Sequence, residues 1–183
     1  MSDILFTDKQ TIGMSELEHD VEYRYIPKED MQDLIDHAWA KGESVAAMIR
    51  EEHPSYGSAE SLAKALGAKI VIREKGPERI FSEYYSRKKE IHLIVQAMEG
   101  NYIPKNAECL RRKDFDSVKE IFIMHELYHH LECTDERVGL TFQEKQVTLF
   151  SVGPFRIRRG LRSLSEIAAH SFVRSMLRIE HSY

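Results

Sequence analysis

His125-Glu126-Leu127-Tyr128-His129 is the stretch from which the rest of the chain is read. On an α-helix, residues four apart lie nearly one above the other, so both imidazoles can point at one atom. Glu126 is turned by about 100° from His125, which lets its carboxylate reach a ligand of that atom rather than the atom itself. Two imidazoles and a carboxylate so placed make a metal-binding pair with a general base beside it. A short pattern in a helix containing His and Glu also arises by chance, so the flanks decide.

The flanks describe a buried helix. Val118, Ile121, Phe122, Met124, Leu127, Tyr128 and Leu131 cover most of its circumference. Polar groups left unpaired in a core cost about 1–3 kcal/mol each, and a charged carboxylate more. A bound metal would satisfy His125, Glu126 and His129 together. Asp116 or Ser117 is expected to cap the helix, with Glu120 completing a capping box from Ser117. His130 falls off the His125/His129 stripe and is left out of the site.

The chain has 183 residues, 42% of them apolar and 31% charged, with a formal charge of −4. That is the size of one domain, or of one domain with an extension. The charge argues against nonspecific nucleic-acid binding by the whole surface. Cys109 and Cys133 match no zinc-ribbon or thioredoxin spacing. The first residues lack the apolar core of a signal peptide, and no run approaches the roughly 18 apolar residues that span a bilayer. The expectation is a cytoplasmic protein with free thiols and no membrane partner. One turn past His129, Cys133 is either a soft metal ligand or a small packing residue.

Residues 1–28 are acidic and without clear periodicity and are read as an N-terminal extension. The remaining 29–183 are read as the functional domain. Residues 29–52 carry a helical pattern that Gly42 is expected to break in two. Ser58 can cap a short helix over 59–66, terminated by Gly67. Strands are expected at 69–73, 79–86 and 90–95, joined by turns as a small antiparallel sheet. Residues 100–114 read as a polar loop with Lys105, Arg111, Arg112 and Lys113. A hairpin is expected from 146–151 and 155–159 around Val152-Gly153-Pro154, and the last helix is expected at 164–179.

A catalytic zinc usually has three protein ligands and one open position. Glu166, on the last helix, can be the third ligand, but Ser163-Leu164-Ser165-Glu166 is also a capping box. Glu132, Asp135, Glu136, Glu144 and His170 are further donors. One turn after Glu166, His170 is a replacement ligand, a partner that orients a ligand, or a surface histidine.

Three features in order resemble the ImmA/IrrE family of metallopeptidases, which is associated with repressor cleavage in mobile elements and with stress-response control. They are Leu62-Ala63-Lys64-Ala65-Leu66-Gly67 before a strand, the HExxH of 125–129, and Glu166 with Ala169 and Phe172. The resemblance covers roughly residues 29–176. It implies that Glu166 completes a zinc site with His125 and His129. Departures are His170 in place of Asn or Asp, Leu127-Tyr128 in place of small residues, and a long link from His129 to Glu166. No helix-turn-helix module is evident.

The expected fold is α+β, with helices packed around a small, mostly antiparallel three-stranded sheet, zincin-like, the HExxH motif on a core helix. The expected function is a zinc-dependent endopeptidase (another divalent metal would also fit) cleaving an intracellular regulatory protein such as a DNA-bound repressor. Glu126 would be its general base, with no direct nucleic-acid binding. Tyr84, Tyr85, Tyr102 and His181 are candidates to stabilise an oxyanion. The alternative is a metal-stabilised regulatory or binding module without turnover. Arg156, Arg158, Arg159 and Arg162 form a basic run, read as a solvated face or as a surface for an acidic substrate or for a nucleic acid bound by that substrate.

Overall fold

The computed structural model describes residues 7–108, 110 and 113–179; Cys109, Arg111, Arg112 and His181 lie outside the described residues. Helix α1 (Lys9–His19) leads through two single 3₁₀ turns to α2 (Met31–Glu52) and α3 (Ala59–Ala65). Strands β1 (Lys69–Arg73), β2 (Ser82–Tyr85) and β3 (Glu90–Ile94) form one sheet. Then come α4 (Val95–Ala97), a π-helical turn (Met98–Tyr102) and α5 (Ile103–Lys105), so part of the expected 100–114 loop is helical. The motif helix is α6 (Phe115–Thr134). It is followed by α7 (Thr141–Glu144), a hairpin of β4 (Gln146–Val152) and β5 (Phe155–Gly160), and α8 (Arg162–Leu177). No described helix is long and apolar enough to cross a membrane.

The architecture is α+β, but the three-stranded sheet is mixed rather than mostly antiparallel. Its order is β1-β3-β2: β3 pairs antiparallel with β2 (Ser82 opposite Leu93) and parallel with β1 (Ile70 opposite Ile91). Ile91, His92, Leu93 and Ile94 are all buried, whereas β1 and β2 carry exposed positions. The most buried strand is the central one, where both edges are paired. β1 must then cross over to its far side and run parallel. β2 is left as an edge strand.

Gly42 does not break α2, which runs unbroken for 22 residues. A Cβ at Gly42 would lie 2.2 Å from the Ala168 carbonyl oxygen and 2.8 Å from Ser171 Cβ on α8. Gly42 is therefore where the backbones of two helices approach closely, and the Ser171 hydroxyl, donating to Trp39 O at 2.8 Å, ties them together. Gly42→Ala is expected to destabilise the fold by about 1–3 kcal/mol, because backbone on α8 would have to give. Urea unfolding with an unchanged slope would measure it.

The described part of 1–28 belongs to the same core. Asp8 caps α1 through Thr11 N at 3.0 Å, and Ile12 and Leu17 are fully buried against the other helices. Only Ile12, Gly13 and Leu17 of α1 are buried, too narrow a stripe to show as periodicity.

Caps also differ from expectation. Asp114 caps α6 by accepting from Ser117 N at 2.9 Å, and the Ser117–Glu120 box does not form. Glu120 instead accepts from Ala59 N at 2.7 Å, joining α6 to the start of α3, where Ser58 and Ser61 form a reciprocal box.

Candidate metal centre

Helix α6 carries an unusual load of buried polar side chains: His125, Glu126, His130 and Glu132 are each at most 7% exposed. Each needs a partner. His130 has two: its Nε2–H donates to Leu66 O at 2.9 Å, so its Nδ1 accepts from the Tyr84 hydroxyl at 2.8 Å. His130 is thus a packing residue, off the stripe as expected. Its bond also commits Tyr84, whose pKa burial pushes up to about 12.

Glu132 accepts three hydrogen bonds, from Thr141 N (2.9 Å), Ser165 Oγ (2.8 Å) and His129 Nδ1 (3.2 Å). Burial alone would raise its pKa, but the hydrogen bond and charge of His129 lead the partners that hold it below the ordinary range. Its bond to Nδ1–H orients the ring so that Nε2 is the atom turned toward the other donors. Glu132→Ala is expected to weaken metal binding by about 10–100-fold, read by competition with a chromophoric chelator.

What remains converges on one point. His125 Nε2 lies 3.3 Å from His129 Nε2; Glu166 Oε2 lies 3.1 Å from the first, and Glu166 Oε1 3.5 Å from the second. Ligands about 2.0–2.1 Å from a tetrahedral zinc stand roughly 3.3–3.4 Å apart, so all three edges fit. Among the described residues, these three form the one group of His, Cys, Asp or Glu close enough together to share an ion. Burial would lower the His129 pKa and raise that of Glu166. Mutual attraction and hydrogen bonds outweigh it, holding His129 well above and Glu166 well below its ordinary value. A divalent ion would take the Glu166 carboxylate as it stands and displace the extra proton from His129.

Glu166 is available because another residue takes the capping role. Leu161 stands at the α8 N-cap without a side-chain bond, and the Ser163 amide donates to Asp20 Oδ2 at 2.8 Å. A carboxylate from the end of α1 therefore caps the helix, and the Ser163–Glu166 box does not form. His170 is not a surface histidine: it is buried, its ring centroid 5.1 Å from that of His125, and its Nε2 lies 3.2 Å from Glu16 Oε1 on α1. Burial lowers its pKa.

The three donors and Glu126 line a cavity of about 510 Å³. Its other walls come from Arg79 to Tyr84 around the free edge of β2, from Tyr102, from Ile121 and Phe122, and from His170. Phe81, Tyr102 and Phe122 pack with ring centroids 4.8–5.5 Å apart. Ser82 donates to Glu126 Oε1 at 2.6 Å, holding the carboxylate from the sheet side. Of the oxyanion candidates, Tyr84 and Tyr102 reach the cavity, whereas Tyr85 donates to Glu83 at 2.5 Å and does not line it. Asp135 binds Arg137, Glu144 binds Lys41 and His37, and Cys133 is exposed; none joins the donor group.

No family model, curated protein or solved structure matches the chain. Ser82, Glu16 and Asp20 are site residues that the sequence reading missed. Nothing local marks them, since each acts on a residue far along the chain. Glu132 had a usable signal, three residues after His129 on the same helix face.

Proposed function

We propose that the chain is a cytoplasmic zinc-dependent endopeptidase of zincin-like design, similar to the ImmA/IrrE metallopeptidases and acting on a regulatory protein such as a repressor. One observation carries this reading: three donor atoms 3.1–3.5 Å apart in the wall of a cavity, with the Glu126 carboxylate beside them. Among the described residues three donors converge rather than four, which supports an open, catalytic site over a closed, structural one.

His125, His129 and Glu166 would hold the ion, with Glu132 keeping His129 in register. A bound zinc supplies a Lewis acid that polarises a peptide carbonyl and acidifies water. Ser82 occupies one oxygen of Glu126; the other accepts the proton of the attacking water and returns it to the leaving amine. The aromatic wall of Phe81, Tyr102 and Phe122 would exclude bulk water and receive an apolar side chain.

The test pairs metal content with cleavage. Purified protein is expected to hold one zinc per chain and to generate new N-termini in a proteome-derived peptide library. Full zinc occupancy without any cleavage would favour the regulatory-module reading, and no bound metal would overturn both.

A further inference from the structure

The β4–β5 hairpin contributes no residue to the wall of the candidate cavity, and its surface is unusually apolar. Its root is fixed: Val147 is buried, a Cβ at Gly160 would lie 2.0 Å from Phe142 O, and Arg159 pairs with Glu22 at 2.9 Å. Beyond the root, Phe150, Val152, Phe155 and Ile157 are 57–76% exposed. Phe150 is opposite Ile157 and Val152 is opposite Phe155, so the four share one face. A bulge at Leu149 rephases β4, and Ser151–Arg156 and Thr148–Arg158 occupy the other face. The turn itself, Val152-Gly153-Pro154-Phe155, bears no charge, and Phe155 at its end is the most exposed of the four.

Charge follows the same division. Residues 145–162 hold five basic residues and no acidic one, so the net −4 splits into +5 here and −9 on everything else. Among the described residues, Arg156, Arg158 and Arg162 form no ion pair. We propose that this hairpin is a peripheral docking element for an anionic lipid surface, its apolar turn entering the acyl boundary while Arg156 and Arg158 meet the headgroups.

Two observations select this occupant. Even at about 250 Å² apiece, the upper value for an aromatic side chain, the four side chains at 57–76% exposure offer at most roughly 600 Å² of apolar area. A stable interface with a second copy needs about 800 Å² per partner. Lipid has no such threshold, since a short apolar wedge and a few basic residues together suffice for reversible binding. The second observation is the charge split: an anionic surface attracts the hairpin and repels the acidic remainder, so only this end can approach. The expectation of no membrane partner rested on the absence of a spanning segment, which peripheral docking does not require.

Co-sedimentation of the full chain with phosphatidylcholine vesicles, with and without phosphatidylglycerol, tests this. Binding is expected only with phosphatidylglycerol and should fall at high salt. The double change Arg156→Gln, Arg158→Gln should weaken it by about 25-fold, near fivefold per charge, and Phe155→Ser by about tenfold or more. Thermal unfolding of both variants should match the wild type, since the side chains are exposed. Equal binding to both vesicle types, or variants that bind as well as the wild type, overturns the proposal. A wild-type dimer in sedimentation velocity that Phe155→Ser converts to monomer also overturns it, assigning the face to a second copy.

Discussion

Glu126→Gln is expected to reduce peptide hydrolysis by about 10²–10⁴-fold, the range that one positioned general base contributes. The substitution keeps shape and an Oε1 that can still accept from the Ser82 hydroxyl, now 2.6 Å away, so the wall of the cavity stays in place. What it removes is the capacity to take up a proton. Glu126 is 6% exposed, so water does not readily substitute for it. Metal stoichiometry should remain that of the wild type, because Glu126 is outside the donor group. Measuring zinc content and cleavage on one preparation separates this outcome from misfolding. A variant that keeps its metal and full activity would remove Glu126 from the mechanism.

Glu166→Ala is expected to weaken metal binding by more than the 10–100-fold that follows loss of a supporting residue, since a donor itself is removed. Glu166 stands within 3.5 Å of both imidazoles, and without it two nitrogens remain, too few for a stable zinc site. Asp20, not Glu166, caps α8, so the helix content of the metal-free variant should equal that of the wild type. Helix loss with undiminished metal affinity would restore the capping role and remove Glu166 from the donors. Equilibrium competition with a chelator and far-ultraviolet circular dichroism give the two readings independently.

What could be read in the sequence was what neighbours in sequence settle. The His125/His129 stripe, the Ser58 cap, the three strands and the hairpin around Gly153 follow from local spacing and turn chemistry. The parallel placement of β1 could not be read, because it depends on which strand takes the centre of the sheet. Gly42 was misjudged for a related reason: its lack of a side chain serves α8, more than a hundred residues away, and not its own helix. Glu166 was ambiguous because its competitor for the α8 amides, Asp20, lies 143 residues before Ser163. His170 was equally open until Glu16, 154 residues earlier, took its ring nitrogen.

Those separations set the order in which the centre can be built. His125 and His129 share one helix and meet as soon as that helix winds. Glu166 joins them only after the intervening hairpin has been passed, and α8 is held correctly only when α1 returns from the far side of the sequence. Contacts that close such large loops form late in folding. A nascent or partly folded chain would therefore present the two imidazoles without the carboxylate that completes the donor set. On the proposed peptidase reading, such a chain would lack the complete donor set that cleavage requires.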